Sequence, residues 1–205
     1  MHKKSSFFSR NFVGSIFGMI LLAAAIGCSG LGSSVSSTPG VLTGVFIDGP
    51  VAGITYKTPT VGGMTDATGT FKYKEGEKVT FSIGSTVLGS AVGKPVLTSL
   101  DIVDGAKDTS DQRVVNISVF LQTLDQDGNP ENGITIGRKT ASFVDQYGNE
   151  INFNQPVRAF SFDPGFRNVM NELNDINAFG ETPRAVMSPT VAKKHLDNAI
   201  SKLKK

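Results

Sequence analysis

The apolar residues of this chain change period once, near Asp108. Between Val41 and about Leu100 they alternate in short runs cut by glycine, and beyond Asp108 they recur at every third or fourth position. A period of two places side chains on opposite faces of a strand, whereas a period near 3.6 lines one face of a helix. The chain is therefore expected to be α+β: an N-terminal antiparallel β-sandwich-like domain over residues 43–104, then a mainly helical segment over 105–205 that packs on it.

The expected strands are GVFIDG, GITYKT, GTFKYK, KVTFSI and TVLGSAV. Phe71 and Tyr73 should face one side of their strand while Lys72 and Lys74 face the other, the half-buried alternation of a sheet covered on one side. Asp48-Gly49-Pro50 and Asp66-Ala67-Thr68-Gly69 supply turn chemistry. Three helices are expected. Ser110 caps the first, with Val114, Ile117, Leu121 and Leu124 as its stripe. Asp163-Pro164 opens the second, carrying Phe166, Val169, Met170, Leu173 and Ile176. Ser188-Pro189 opens the third, carrying Ala192, Leu196, Ala199, Ile200 and Leu203, with Lys202, Lys204 and Lys205 where the helix dipole favours cations. Long structureless connectors are uncommon, so FNQPVRAFSFDPGF, Phe153 to Phe166, is expected as a buried strand over the sheet; its dense phenylalanine and arginine also fit a binding patch.

The first 27 residues have another character. His2, Lys3, Lys4 and Arg10 form a basic start, Phe12 to Ile26 is nearly uncharged and apolar, and Cys28, the one cysteine in the chain, follows. The apolar run is shorter than the roughly 20 residues a spanning helix needs, so it reads as a signal peptide rather than a permanent anchor. A lone thiol has no intrachain partner and cannot build a multi-cysteine metal site, which leaves modification as its use. Ala25-Ile26-Gly27-Cys28 resembles the lipobox of bacterial lipoproteins. That resemblance implies cleavage before Cys28, diacylglyceryl transfer to its sulfur, and acylation of the new amine. Two or more chains at about 0.8 kcal/mol per buried methylene hold a protein on a bilayer stably. Ser29, where many inner-membrane lipoproteins have Asp, implies by the same resemblance an outer-membrane address. Residues 28–42 then read as a lipidated tether: SGLGSSVSSTPG cannot bury a core and has a reach of about 20 Å.

Losing the leader also removes the chain's apparent basicity. Residues 1–27 hold three Lys/Arg and no acid, so residues 28–205 carry 17 basic and 18 acidic side chains. No nucleic-acid partner follows from so balanced a charge.

From Gly44 to Leu88, DGPVAGITYKT followed by TDATGTFKYKEGEKVTFSI is similar to the carboxypeptidase-regulatory-like or transthyretin-like β-sandwich domains. The downstream VVNISVFLQTLDQDGNPENGI extends the likeness to a module of bacterial surface and adhesin-like lipoproteins. Both resemblances imply fold and location, and neither brings catalytic residues with it.

Few stretches carry chemistry. In LDQDGNPENGI the oxygens of Asp125, Asp127, Asn129 and Glu131 alternate just past a helix, a pattern a hard cation such as Ca²⁺ can use. Pro130 and Ile136 stand where an EF-hand loop needs Gly and Glu, so calcium binding would take another geometry. The competing reading is a solvated turn whose Asp and Asn satisfy backbone groups while Gly128 and Gly133 take positive φ. GSAVGKP, Gly89 to Pro95, lacks the spacing and the Ser/Thr of a phosphate loop and reads as a glycine-rich strand bend. His195 is the sole histidine beyond the leader and stands without a nucleophile motif; it is expected at the exposed or boundary edge of the last helix. The absence of a Cys-His pair or His cluster argues against zinc. Asn116-Ile-Ser matches a glycosylation acceptor in letters alone, inside an expected helix.

These observations converge on a non-catalytic lipoprotein of the outer membrane, held through Cys28 and acting as a structural or binding module toward an envelope protein or surface ligand. An envelope hydrolase using paired carboxylates is the alternative from another class, and an accessory subunit of an envelope complex is a third.

Overall fold

A computed structural model describes residues 40–204. The leader, Cys28 and nearly all of the tether lie outside the described residues. Within them the protein is α+β, with eight strands ahead of the first helix. The strands are β1 (Leu42–Ile47), β2 (Val51–Ala52), β3 (Thr55–Lys57), β4 (Gly62–Met64), β5 (Thr70–Tyr73), β6 (Lys78–Ile83), β7 (Thr86–Val92) and β8 (Val96–Thr98). Then come α1 (Gln112–Thr123), β9 (Ile134–Thr135), α2 (Arg138–Tyr147), α3 (Val157–Phe160), α4 (Pro164–Asp175) and α5 (Pro189–Lys202).

Three sheets form, in the orders β5-β1-β8, β4-β3-β6-β7 and β2-β9. The expected all-antiparallel pairing holds for β1–β5 and throughout the four-stranded sheet, but β1–β8 and β2–β9 are parallel. The second parallel pair also places a strand of the expected helical segment beside one from the strand region. Alternation within the strands follows the sequence: Phe71 and Tyr73 are buried and Lys72 is exposed. Buried rings of the three-stranded and four-stranded sheets meet, with Phe46 and Phe81 centroids 4.6 Å apart and Phe71 set edge-on to Phe81 at 5.2 Å. Such offset and edge-to-face geometry suits the ring quadrupoles.

Two glycine positions are dictated by close backbone approach. At Gly53, which has φ +81°, a Cβ would lie 2.2 Å from the Ile136 carbonyl oxygen; only a residue without a side chain lets β2 come alongside β9. Gly89 sits where the β6–β7 register shifts at Phe81/Ser82, and a Cβ there would fall 2.3 Å from Ile102 O. The adjacent Ser90 N–H donates to that same carbonyl at 3.0 Å. The GSAVGKP stretch is thus a strand bend against a crossing loop.

The turn at Asp66 is closed by its carboxylate, whose Oδ1 accepts from Thr68 N at 2.9 Å, Thr68 Oγ1 at 2.7 Å and Thr70 N at 3.0 Å. These donors, the Thr68 hydroxyl first, lower its pKa to about 2.

Among the helices, α1 is the central one. Every residue from Val114 to Thr123 is buried, so the expected one-sided stripe is instead a helix enclosed all round. Its cap is Asp111 rather than Ser110; Asp111 Oδ1 accepts from Arg113 N at 2.9 Å, while Ser110 turns back to Asp108. Asn116 Nδ2 donates to Phe153 O and Gln155 O, both at 2.9 Å. A buried amide spent on holding a neighbouring loop is no glycan acceptor.

The stretch Phe153–Phe166 is not the expected strand over the sheet. It forms the short α3 and the start of α4, and Phe153, Phe160 and Phe166 gather around Phe120 of α1 with centroid spacings of 5.0–5.5 Å. Phe162 alone turns outward. Asp163, 3 % exposed, organises this corner. It caps α4 through Phe166 N at 2.9 Å, and its other oxygen accepts from Gln155 Nε2 at 2.7 Å and Asn152 N at 3.2 Å. Asp163→Ala leaves three donors without their acceptor and is expected to cost about 2–3 kcal/mol in a urea titration. Asp163→Asn keeps one accepting oxygen and should lose less.

Candidate functional site

His195 is buried rather than exposed, which corrects the placement expected from its neighbours. It lies on α5 on the same face as Ala192, Leu196 and Ala199, 7 % exposed. Its Nδ1 donates to Asp48 Oδ1 at 3.2 Å. Asp48 belongs to the tight turn after β1 and is fully buried. The same oxygen accepts from Gln122 Nε2 of α1 at 3.1 Å, and that amide also donates to Ala192 O of α5 at 3.1 Å. Three elements far apart in sequence therefore meet on one carboxylate. The hydrogen bond to Asp48 raises the His195 pKa above its ordinary value against an opposing desolvation, with Glu131 and the Pro130 carbonyl adding to the rise. A cavity of about 180 Å³ opens beside the ring, lined among others by Gly49, Pro130, Glu131, Asn198 and Lys202. Nδ1 meets the Asp48 carboxylate, and the Pro130 carbonyl lies near the ring. This arrangement can hold a proton and join elements, and no hydroxyl or thiol side chain lines the cavity for the ring to activate.

Of the four oxygen-bearing residues of the 125–131 loop, the Asp125 and Asp127 carboxylates lie close enough to act on one another, while Glu131 faces a different cavity. Asp125 is buried, its Oδ1 accepting from Thr135 N at 2.8 Å, and burial is the first cause of its raised pKa. Asp127 is exposed and binds Asn129 N and Asn132 Nδ2, each at 2.9 Å; the Asn132 amide is the first cause of its lowered pKa. Asn129 is exposed as well, and Glu131 lines the cavity beside His195. Among the described residues no group of three or more His, Cys, Asp or Glu is placed to hold a metal ion. Gly128 and Gly133 adopt φ of +73° and +108°, the positive values expected of the loop's glycines. Arg184 completes it from outside, donating through Nη1 to Asp125 O at 2.7 Å, where the carbonyl end of α1 favours a cation.

A cavity of about 640 Å³ forms an open groove between the end of α2 and the first turns of α4. Sequence reasoning did not locate it, although the phenylalanine-rich stretch it had marked supplies Phe162 at the edge. Pro164, Arg167, Asn168 and Asn171 recur at helical spacing along the outer side of α4, while Phe166, Val169, Met170 and Leu173 bury the inner side. Gln146, Tyr147, Asn149 and Glu150 form the opposite wall. The wall is fixed to the β6–β7 hairpin: Thr86 Oγ1 donates to Gly148 O at 3.0 Å, and Ser85 Oγ to Asn149 Oδ1 at 2.9 Å. Gly165 lets the two walls close at their base, since a Cβ there would lie 2.8 Å from Ile151 N.

Comparisons with known proteins returned no matching family model, no similar curated protein and no matching solved structure. Among the described residues, no helix is long and apolar enough to cross a membrane.

Proposed function

We propose that the chain is a non-catalytic, lipid-anchored module of the outer membrane that binds an envelope ligand through the groove between α2 and α4. The observation that carries the binding part is the groove itself: an exposed polar trough of about 640 Å³ whose walls are braced from behind by the hairpin and by Asp163. Walls whose backbone is fixed before a ligand arrives lose little freedom on binding. One carboxylate, Glu150, lines it. Glycosidic hydrolysis uses two flanking acids, so this lining supports binding ahead of carboxylate catalysis. Asp48, Gln122 and His195 act as a strut on this reading, joining the strand region to α1 and α5.

Anchoring rests on the leader and on Cys28 within its lipobox-like setting. The strand region is, on the same reading, a β-sandwich-like domain of the carboxypeptidase-regulatory-like kind, supported by the ring contacts between its two larger sheets.

Two measurements test the proposal. Mass spectrometry of natively expressed protein should find residue 28 as the N-terminus, carrying acyl chains; a bare thiol or a retained leader rejects the anchor. Crosslinking of the lipidated protein in intact envelopes should give adducts whose yield falls about tenfold in an Arg167→Ala/Asn168→Ala variant, as for the loss of central contacts in other interfaces. An unchanged yield rejects the groove as the binding surface.

A further inference from the structure

We infer that the groove between α2 and α4 is a saccharide site, taking a short, uncharged oligosaccharide. The inference rests on the proposal that this groove is the binding surface, and it adds the chemistry of the ligand. Four of the lining side chains, Gln146, Asn149, Asn168 and Asn171, are carboxamides. A carboxamide donates and accepts at once, as a sugar hydroxyl does. A phosphate would call for donors alone, and a hard cation for acceptors alone. The charges present do not overrule the amides, because Arg167 and Glu150 both line the groove and oppose one another, leaving no net field to select an ion.

An apolar element completes the match. Phe162 stands 69 % exposed at the edge, while Phe153, Phe160 and Phe166 from the same stretch pack inward around Phe120. A pyranose ring offers one face made of C–H groups and an edge made of hydroxyls. The exposed phenyl ring suits the first and the amide walls suit the second. At about 640 Å³ the groove is of the size of small-ligand sites, roughly 300–1,000 Å³, with room for more than one sugar unit. Asn168 and Asn171 sit three residues apart on α4 and face the trough as neighbours, so successive hydroxyls along a chain can be met in order.

The chain has no tryptophan to report binding by fluorescence, so calorimetry is the direct readout. The full-length protein is titrated with cellotriose, maltotriose and tri-N-acetylchitotriose up to about millimolar concentration, the weak end of specific recognition. At least one of them should bind at a single site. Phe162→Ala and Asn168→Ala/Asn171→Ala should each weaken that binding about tenfold, at unchanged thermal midpoint because the residues are exposed. Phe162→Tyr should bind as the parent does. Failure of all three sugars to bind overturns the inference, as does binding that both variants leave intact. If the sugars fail while crosslinking still depends on Arg167 and Asn168, the ligand is a peptide or protein and only the saccharide inference falls. If crosslinking is independent of those residues too, the groove itself is rejected.

Discussion

His195→Ala is expected to lower the folding free energy by about 3–5 kcal/mol, the usual cost of removing one partner from a buried ionic pair. His195 is 7 % exposed and Asp48 is fully buried, and the variant removes one of the two side-chain donors, His195 and Gln122, that Asp48 Oδ1 has. The urea midpoint is the readout. An Asp48→Ala/His195→Ala double variant should lose less than the two single losses added together, because it leaves no charge buried alone. Equal additivity would mean that the 3.2 Å contact carries no coupling. The pH dependence has a definite sign. The folded ring binds its proton more tightly than the unfolded one, since its pKa is raised by the Asp48 hydrogen bond. Its contribution is therefore complete below the unfolded value of about 6.5 and is lost as pH rises through the higher folded value. A His195→Gln variant retains Glu131 and Lys202, the charged residues that line the cavity beside the ring, and removes only the titrating imidazole. That variant should show a flatter stability profile than the parent as pH rises above about 6.5.

Phe120→Ala should cost about as much, 3–5 kcal/mol, for a different reason. Phe120 is fully buried on α1 and contacts Phe153 and Phe166, at 5.4 and 5.3 Å between centroids. Removing the ring takes away apolar burial and leaves a cavity between α1, α3 and α4 that aromatic neighbours cannot refill, because they are fixed on separate backbones. Phe162→Ala is the matched control: the same deletion at an exposed ring should stay within about 0.5 kcal/mol. Comparable losses at the two positions would contradict the assignment of inward and outward rings. Because the groove of α2 and α4 is built on this corner, Phe120→Ala should also weaken ligand retention, whereas Phe162→Ala should do so without loss of stability.

Long elements were legible because their patterns repeat. Phe71 and Tyr73 against Lys72 announced β5, and the stretches around β1, β3, β6 and β7 could be read in the same way. Asp163-Pro164 and Ser188-Pro189 marked the starts of α4 and α5. Strands β2, β4, β8 and β9 are too short to show a period, whereas β3, equally short, sits in the alternating GITYKT stretch. Helix α2 begins at Arg138 after Gly137, which offers no side-chain cap, and buries only Thr140 and Val144, so neither its start nor its face stood out.

The sequence by itself determined the order of strand and helix regions and the turn chemistry, both set by residues within a few positions of one another. Tertiary structure alone decided the parallel pairing of β1 with β8 and β2 with β9, the burial of His195 and the groove between α2 and α4. The physical reason is distance along the chain. Asp48 and His195 are 147 residues apart, and a histidine on a helix face becomes a buried strut only when folding brings a carboxylate to it.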